Sequence, residues 1–164
     1  MVILGIDPGT ATTGYGIIKS TKRADEYLLE DFGIIATKKV LSHAQRLEIL
    51  AEDLNQIIKK FRPDAVGVEK LFLTTNQKTV MTVSQARGVA LLVCQTNKLP
   101  IFEFTPLQVK NFICGYGKAT KEQVQYIIKK TFKLKSAPQP DDAADALAIA
   151  VCTMHHFHTS LRIQ

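Results

Sequence analysis

Two acidic residues directly follow apolar runs that have the length of buried strands. Asp7 comes after residues 2–6, and Glu69 comes after residues 65–68. A single Asp after a strand is commonly a turn former, so neither position alone indicates a reactive carboxylate. Functional groups nevertheless collect where the carboxyl ends of parallel strands meet at one edge of a sheet. The two positions together therefore predict an acidic site at such an edge.

Two further acids begin an apolar stretch with helical spacing. Asp142 and Asp145 stand at positions i and i+3, which places both carboxylates on one face of a helix. Asp141 and Asp142 are explained by the first turn of that helix, where acids interact favourably with free N–H groups and the helix dipole. Asp145 lies one turn deeper, among Ala, Leu, Ile and Val residues, and that role does not explain it. Like charges at this spacing repel each other unless a cation neutralises them.

The four acids share an explanation as ligands of a divalent cation. They are Asp7, Glu69, Asp142 and Asp145. Oxygen ligands without Cys or His indicate Mg²⁺, for which Mn²⁺ substitutes. Two such ions roughly 3.5–4 Å apart activate a water and stabilise both the attacking and the leaving oxygen of a phosphodiester displacement. The residues therefore predict a metal-dependent nuclease with two ions in each active site.

The positive charge of the chain is concentrated in one segment. Among 164 residues, 21 are Lys or Arg and 15 are Asp or Glu, which gives a net charge of +6. Residues 98–135 contain eight lysines and two acids, so the rest of the chain is balanced. Such a basic surface attracts a polyanion, and nucleic acid is the favoured candidate. An anionic membrane, the alternative, would favour one long amphipathic basic helix, whereas these lysines spread over two short helices and a loop.

The composition, 46% apolar and 22% charged, is typical of a soluble globular protein and excludes disorder. Three cysteines lie far apart among apolar neighbours, which predicts buried, reduced thiols in a cytoplasmic protein. They are Cys94, Cys114 and Cys152. Three histidines, His155, His156 and His158, are interpreted as a solvated helix end rather than a metal site. No linker or repeat divides the chain, so we expect a single nuclease domain over residues 1–164.

The elements that must position these acids follow from apolar periodicity and from helix-capping residues. Strands are predicted at 2–6, about 15–19, 27–36, 65–68 and 101–104. Helices are predicted from a capping box at Ser42 to Phe61, over about 77–96, from a second capping box at Thr120, and from after Pro140 to about Phe157. This order, βββαβαβαα, predicts an α/β fold with a mixed five-stranded sheet, antiparallel on one side and parallel on the other, and with helices on both faces.

The glycine-rich start of the chain admits two interpretations. Four glycines, Gly5, Gly9, Gly14 and Gly16, suit a tight hairpin that leads into the second strand. Residues 5–10 are also similar to the phosphate loop of actin-like and sugar-kinase ATPases. Those proteins need two lobes to enclose ATP, whereas this chain has the length of one lobe and no second Asp-Gly-Thr-like segment. An ATPase is therefore disfavoured.

Five segments, which together extend over nearly the whole chain, resemble one family. They are GIDPG at 5–9, VEKLF at 68–72, QARGVA at 85–90, QVK at 108–110 and DAADALA at 142–148. In this order and at these separations they are similar to the RuvC family of bacterial Holliday-junction resolvases, within the RNase H-like, or retroviral integrase, superfamily. The resemblance implies an RNase H-like fold, and it places the family's catalytic and metal-binding quartet on the four acids selected above.

The resemblance also implies a set of DNA-binding residues. Phe72, in the loop after the catalytic Glu, would stack on or wedge between bases at the junction, although a core position is the alternative. The family's basic residues fall on Lys110 and Lys121, and Lys118 is a further candidate nearby. Arg87 lies within a predicted helix, where contacts with the DNA backbone and contacts within a dimer both remain open.

The activity that the resemblance implies is the resolution of four-way DNA junctions in recombination and repair. A homodimer would place two active sites on strands of like polarity and hydrolyse one phosphodiester in each, leaving 5′-phosphate and 3′-hydroxyl ends. The family also works with the RuvA–RuvB branch-migration complex, which we expect as a partner. Two alternatives remain: another RNase H-like nuclease acting on RNA/DNA hybrid or structured RNA, and a junction-binding protein that does not cleave. Four clustered acids disfavour the second, since a pure binder has no use for them beside DNA phosphates.

Overall fold

Five strands and five helices make up the part of the chain that the computed structural model describes, residues 1–22, 26–70 and 77–162. The strands are β1 (Val2–Asp7), β2 (Thr12–Ser20), β3 (Tyr27–Ala36), β4 (Ala65–Glu69) and β5 (Ile101–Phe104). The helices are α1 (His43–Phe61), α2 (Gln77–Thr96), α3 (Pro106–Cys114), α4 (Lys121–Thr131) and α5 (Asp141–Arg162). No helix in these ranges combines the length and the apolar character needed to span a bilayer.

The sheet has the strand order β3-β2-β1-β4-β5. β1, β2 and β3 pair antiparallel, whereas β4 runs parallel to both β1 and β5. The predicted mixed five-stranded sheet is therefore confirmed, and its antiparallel and parallel halves meet at β1. Because β1 and β4 are adjacent and parallel, their last residues, Asp7 and Glu69, lie at the same edge of the sheet.

Helices cover both faces of the sheet, as predicted. Residues of α1 and α2 bury one face, where Leu54 belongs to the same core cluster as Leu4 of β1. Residues of α3, α4 and α5 bury the other face, where Leu147 belongs to the same cluster as Ile3. All residues from 146 to 154 of α5 are buried. The helix that begins with the paired acids is thus the central helix of this second core.

The structure contains one helix that the sequence prediction missed. α3 begins at a capping box, in which Thr105 Oγ1 accepts from the Gln108 N–H and Gln108 Oε1 accepts from the Thr105 N–H. The helix has 9 residues and buries only Val109, so its apolar periodicity is too short to indicate a helix. Two boundaries differ from the prediction by three residues or more: β2 begins at Thr12 rather than near residue 15, and α5 continues to Arg162 rather than ending near residue 157. β1 and β4 each end one residue later than predicted, so Asp7 and Glu69 are their last residues.

The three cysteines are free thiols, and two of them lie in the core. Cys94 and Cys152 are buried, and burial raises the pKa of each thiol to about 12. Cys114 is only half-buried, so the prediction of a buried thiol was wrong at this position. The reason is that Cys114 ends the short helix α3, which contributes one fully buried side chain to the core.

The three histidines near the end of α5 are exposed, which confirms the predicted solvated helix end. The ring of His155 lies 4.9 Å from that of Phe112 in α3, and the ring of His156 lies 5.0 Å from that of Phe104 in β5, measured between centroids. Nδ1 of His156 is 2.8 Å from the carbonyl oxygen of Cys152. These contacts fasten the end of α5 to α3 and β5.

Candidate active site

Strand periodicity directs the two strand-end acids toward the same helix. Gly5 of β1 and Gly67 of β4 both face α5. Asp7 and Glu69 each come two residues later, so their side chains point to this face as well. The parallel register pairs Gly5 with Gly67 and brings both strands to the same edge. The carboxylates of Asp7 and Glu69 therefore meet beside α5.

Glycines in the sheet allow α5 to lie directly on the strands. A Cβ at Gly5 would overlap the carbonyl oxygen of Ala146, and a Cβ at Gly14 would overlap that of Asp142. The hairpin predicted from the glycine-rich start is present, but Gly5 and Gly14 lie inside β1 and β2, and their role is close packing. This packing brings the first turns of α5 next to the end of β1.

The first turns of α5 add the second pair of acids. Oγ1 of Thr12 donates to Oδ2 of Asp142 at 3.1 Å, which ties the start of the helix to β2. The negative charges of Asp142 and Asp145 both act on the carboxyl group of Asp7. The structure therefore brings the four predicted acids together, from two strand ends and one helix start.

The four carboxylates repel one another in a largely buried setting. Burial raises the pKa of Asp7 well above its usual value, and repulsion from the other three acids raises it further. Burial and repulsion from Asp145 raise the pKa of Glu69 to about 7, while a hydrogen bond with the Asp7 side chain opposes this rise. Burial also raises the pKa of Asp145. Full ionisation of the four acids would thus place more negative charge in the cluster than its surroundings neutralise.

One ammonium group offsets part of this charge. Nζ of Lys121, at the start of α4, is 3.0 Å from Oδ2 of Asp145 and 3.5 Å from Oδ2 of Asp141. Burial by itself would lower the pKa of Lys121, but the hydrogen bonds and charges of these two acids raise it overall. The ammonium group of Lys121 is therefore bound to a carboxylate oxygen of Asp145, one of the residues predicted to hold a metal.

The donor set suits a hard divalent cation, although the side chains do not form a ready-made cage. Across the described ranges, no three His, Cys, Asp or Glu side chains converge as metal ligands. Asp142 instead contacts Thr12, and Asp145 contacts Lys121. The available ligands are nevertheless all carboxyl oxygens, whose ionisation a divalent cation would favour, and this is the ligand type that Mg²⁺ and Mn²⁺ prefer. The four acids therefore fit such an ion by ligand type and by charge.

A cavity of about 200 Å³ opens beside the acids. Glu69 and Asp145 line it together with two of the predicted DNA-binding lysines, Lys110 of α3 and Lys121 of α4. Carboxylates and ammonium groups thus face the same cleft. Cations at a phosphodiester stabilise the charge that develops during its cleavage, so this combination suits phosphoryl chemistry.

Comparison with known proteins agrees with this geometry. The sequence profile of the family described as crossover junction endodeoxyribonuclease RuvC matches residues 3–153. A protein of that name from Alkaliphilus metalliredigens is 46% identical over 166 residues, which cover 100% of both chains. Another from Caldicellulosiruptor saccharolyticus is 49% identical over 152 residues, 93% of this chain and 91% of the relative. The chain belongs to the RuvC family.

A solved structure from the RuvC family has the same fold. Thermus thermophilus RuvC in complex with a Holliday junction substrate matches with a TM-score of 0.90 and 31% identity, covering 98% of this chain and 96% of that chain. The expected RNase H-like α/β fold and the resemblance to RuvC are therefore both confirmed.

The remaining residues predicted from the RuvC resemblance lie in different settings. Lys118 is exposed in the loop that precedes α4, three residues before Lys121. Arg87 of α2 forms an ion pair with Glu103 and donates from Nε to the carbonyl oxygen of Glu69 at 3.1 Å. Phe72 lies outside the described residues. The DNA-binding roles of these residues stay predictions.

Two residues that contact members of the predicted site, Thr12 and Glu103, were not among the predicted site residues. Thr12 forms a hydrogen bond with Asp142, which lies 130 residues later in the sequence, and no local pattern links the two residues. Glu103 forms an ion pair with Arg87, and the sequence does contain a signal that Glu103 needs a partner. It is a charged residue inside the four-residue apolar strand β5, where burial of an unpaired carboxylate would be costly.

In the absence of divalent ions, the stability of the protein is expected to fall as pH rises from about 5 to about 7. The pKa of Glu69 is raised from its usual 4.5 to about 7, so the folded state holds a proton that the unfolded chain has already lost. Stability is highest below this window and levels off above it, and Glu69 alone accounts for a loss on the order of 2 kcal/mol. Urea unfolding in EDTA at several pH values measures the effect.

The matched variant for this measurement is Glu69→Gln, which keeps the shape of the side chain and removes its titration. We expect its stability to vary less across the same window. A wild-type curve that rises between pH 5 and 7, or an identical slope in the variant, would contradict the prediction.

Proposed function

We propose that this chain is a crossover junction endodeoxyribonuclease, which resolves four-way DNA junctions by paired and symmetric phosphodiester hydrolysis. The observation that carries the proposal is that Glu69 and Asp145 share one cleft with Lys110 and Lys121. Asp7 lies close enough to be repelled by both of these acids. Membership of the RuvC family supplies the substrate class. The activity belongs to DNA recombination and repair.

The four acids would hold Mg²⁺, with Mn²⁺ as a substitute and two ions in each site. They are Asp7, Glu69, Asp142 and Asp145. When bound, these ions supply an activated water and neutralise charge on the leaving oxygen. RuvC nucleases are metal-dependent, which agrees with the excess negative charge of the cluster.

The lysines near the cleft would bind the DNA backbone. Lys110 and Lys121 line the cavity and would hold the scissile phosphate, while Lys118 would add charge from the adjoining loop. The wider set of lysines between residues 98 and 135 would provide affinity that depends on salt rather than on sequence. Phe72 would contact bases at the junction, as the family resemblance implies.

The direct test is cleavage of a labelled mobile four-way junction in Mg²⁺, beside linear duplex DNA and an RNA/DNA hybrid. Paired, symmetric nicks confined to the junction, with ends that ligase seals, are the expected result. Tight junction binding without nicks in either Mg²⁺ or Mn²⁺ would indicate a binding protein. Cleavage of the hybrid alone would place the chain with nucleases that act on RNA.

We also propose that the chain acts as a homodimer through the exposed face of α2. Met81 and Leu92 on this helix are 67% and 63% exposed. Gly88 lies between them on the same stripe, and a Cβ there would meet no atom within 4 Å. Large apolar side chains flanking an open backbone allow two such helices to approach closely. A second copy of the chain would bury this stripe and bring two active sites to one junction.

Leu92→Glu is expected to convert the dimer to a monomer. A carboxylate buried in an apolar interface is desolvated without a partner, which costs several kcal/mol and lowers dimer affinity by about 10²-fold or more. Sedimentation at micromolar concentration measures the change. Tyr126→Glu on α4, another exposed apolar position, serves as the control and should leave the oligomeric state unchanged. A wild-type monomer, or a variant that stays dimeric, would contradict the assignment of α2.

Three further expectations rest on membership of the RuvC family. The nuclease domain would comprise residues 1–164 as a single unit. The protein would act in the cytoplasm, on chromosomal DNA. The RuvA–RuvB branch-migration complex would be its partner at the junction.

A further inference from the structure

Arg87 of α2 joins the ends of two neighbouring strands. Its Nε–H donates to the backbone carbonyl oxygen of Glu69, the last residue of β4, at 3.1 Å. Its guanidinium also forms an ion pair with the carboxylate of Glu103 in β5. β4 and β5 are parallel neighbours, and Val68 pairs with Glu103 in their register. The Arg87 side chain thus links β4 and β5 at the end of β4, where the predicted catalytic Glu69 lies.

Arg87 reaches Glu69 from the face of the sheet opposite to the acids. Glu69 points to the face covered by α5, as Gly67 does two residues earlier. Phe104 also belongs to the core on the α5 side, so Glu103, its neighbour in β5, points to the α2 side. Arg87 therefore contacts only the backbone of Glu69. Its charge is neutralised by Glu103.

Glu69 lies at the last pair of the ladder between β4 and β5. The backbone N–H of Lys70 donates to the carbonyl oxygen of Phe104 at 2.7 Å, the last ladder bond that the described residues show at this end of β4 and β5. The Glu69 carboxylate is also repelled by Asp145. The Glu69 carbonyl and the Lys70 N–H belong to the same peptide group, so the bonds from Arg87 and to Phe104 together fix its plane, and thereby the direction in which the Glu69 side chain leaves the strand.

The same contacts argue against Arg87 as a free DNA-backbone contact. Its side chain is 23% exposed, and both the Nε and an Nη donor are already used inside the protein. α2 makes few other contacts with β4 and β5 and packs mainly against α1. The Arg87–Glu103 pair is therefore a principal polar tie between α2 and the strand ends that carry the site.

We propose that Arg87, held by Glu103, is a positioning residue that fixes the backbone of Glu69 so that its carboxylate faces the other three acids. This role rests on the proposed function, because it assigns Glu69 to the metal-binding cluster. For Arg87 it is an alternative to both the DNA contact and the dimer contact that the sequence left open.

The test compares Arg87→Met, Arg87→Lys and Glu103→Gln with the wild-type protein. We expect each to slow single-turnover junction cleavage by about 30-fold or more, because a small misplacement of a reacting group has effects of this size. Junction affinity and its salt dependence should stay unchanged. In the absence of DNA, the Mg²⁺ concentration needed for half of the thermal stabilisation should rise about tenfold. The double variant Arg87→Met with Glu103→Gln should be no worse than Arg87→Met, since the pair acts as a unit.

Lys60→Met is the matched control, because it removes another ion pair between a helix and a strand, that of Lys60 with Asp31 at 3.5 Å. It should leave cleavage and the Mg²⁺ titration unchanged. Thermal unfolding shows whether each variant is folded. If Arg87→Met does not fold, the comparison is made with Arg87→Lys instead.

Two results would overturn the positioning role. The first is Arg87→Met protein that binds junctions about tenfold more weakly with a shallower salt slope, beside Glu103→Gln protein with normal cleavage, which is the behaviour of a phosphate contact. The second is an unchanged Mg²⁺ titration in all three variants. A wild-type chain that cuts no junction would contradict the proposed function instead, and the Mg²⁺ titration without DNA would still test Arg87.

Discussion

Asp7→Asn is expected to slow junction cleavage by about 10³-fold or more while junction affinity changes by less than about threefold. Asp7 is the acid on which the charges of the other three all act. The amide keeps the size of the side chain and removes the charge that would hold a divalent ion. The lysines that would bind the backbone are untouched. Single-turnover cleavage in Mg²⁺ and junction binding without divalent ions measure the two quantities separately.

A control for this variant removes one negative charge elsewhere. Glu52 is exposed on α1, on the opposite face of the sheet from α5, and Glu52→Gln should leave both cleavage and binding unchanged. If Asp7→Asn loses binding in step with cleavage, the division between acids for chemistry and lysines for affinity is wrong. If it cleaves at the wild-type rate, Asp7 does not belong to the metal site.

The positions of Asp7 and Glu69 could be predicted because they depend on local patterns. Each follows an apolar run of buried-strand length, and the order of strands and helices makes those two strands parallel neighbours. Asp142 and Asp145 were found in a similar way, from one helical spacing in an apolar stretch. Sequence patterns of this kind specify which residues arrive at a sheet edge.

The partners of these acids could not be predicted, because they depend on how α5 and α2 sit on the sheet. Thr12 reaches Asp142 only when α5 crosses β2, and no periodicity encodes that crossing. Arg87 was recognised as a candidate from its motif, yet its contacts are with Glu103 and the backbone of Glu69. The ammonium of Lys121 on Asp145 is likewise a product of three-dimensional packing.

The close packing of α5 on Gly5 could not be predicted from the sequence either. Substitution of Gly5 is expected to affect both stability and cleavage strongly. In Gly5→Ala, the new Cβ would overlap the carbonyl oxygen of Ala146 and lie 2.6 Å from the backbone N of Ala150. Backbone atoms of a buried helix cannot rotate away, so α5 must move outward as a unit. We expect the free energy of unfolding to fall by about 3 kcal/mol and cleavage to slow by about 10²-fold, since the helix carries Asp142 and Asp145 away from Asp7.

Gly33→Ala is the matched control, because it makes the same substitution in the same sheet. There the new Cβ lies 3.0 Å from the hydroxyl oxygen of Tyr15, which is the tip of a side chain and can shift. We expect a small loss of stability and normal cleavage. Urea unfolding and single-turnover cleavage distinguish the two variants. If Gly5→Ala loses stability but cleaves normally, α5 can move without separating its acids from the strand ends. Close packing on Gly5 would then stabilise the fold without positioning the site.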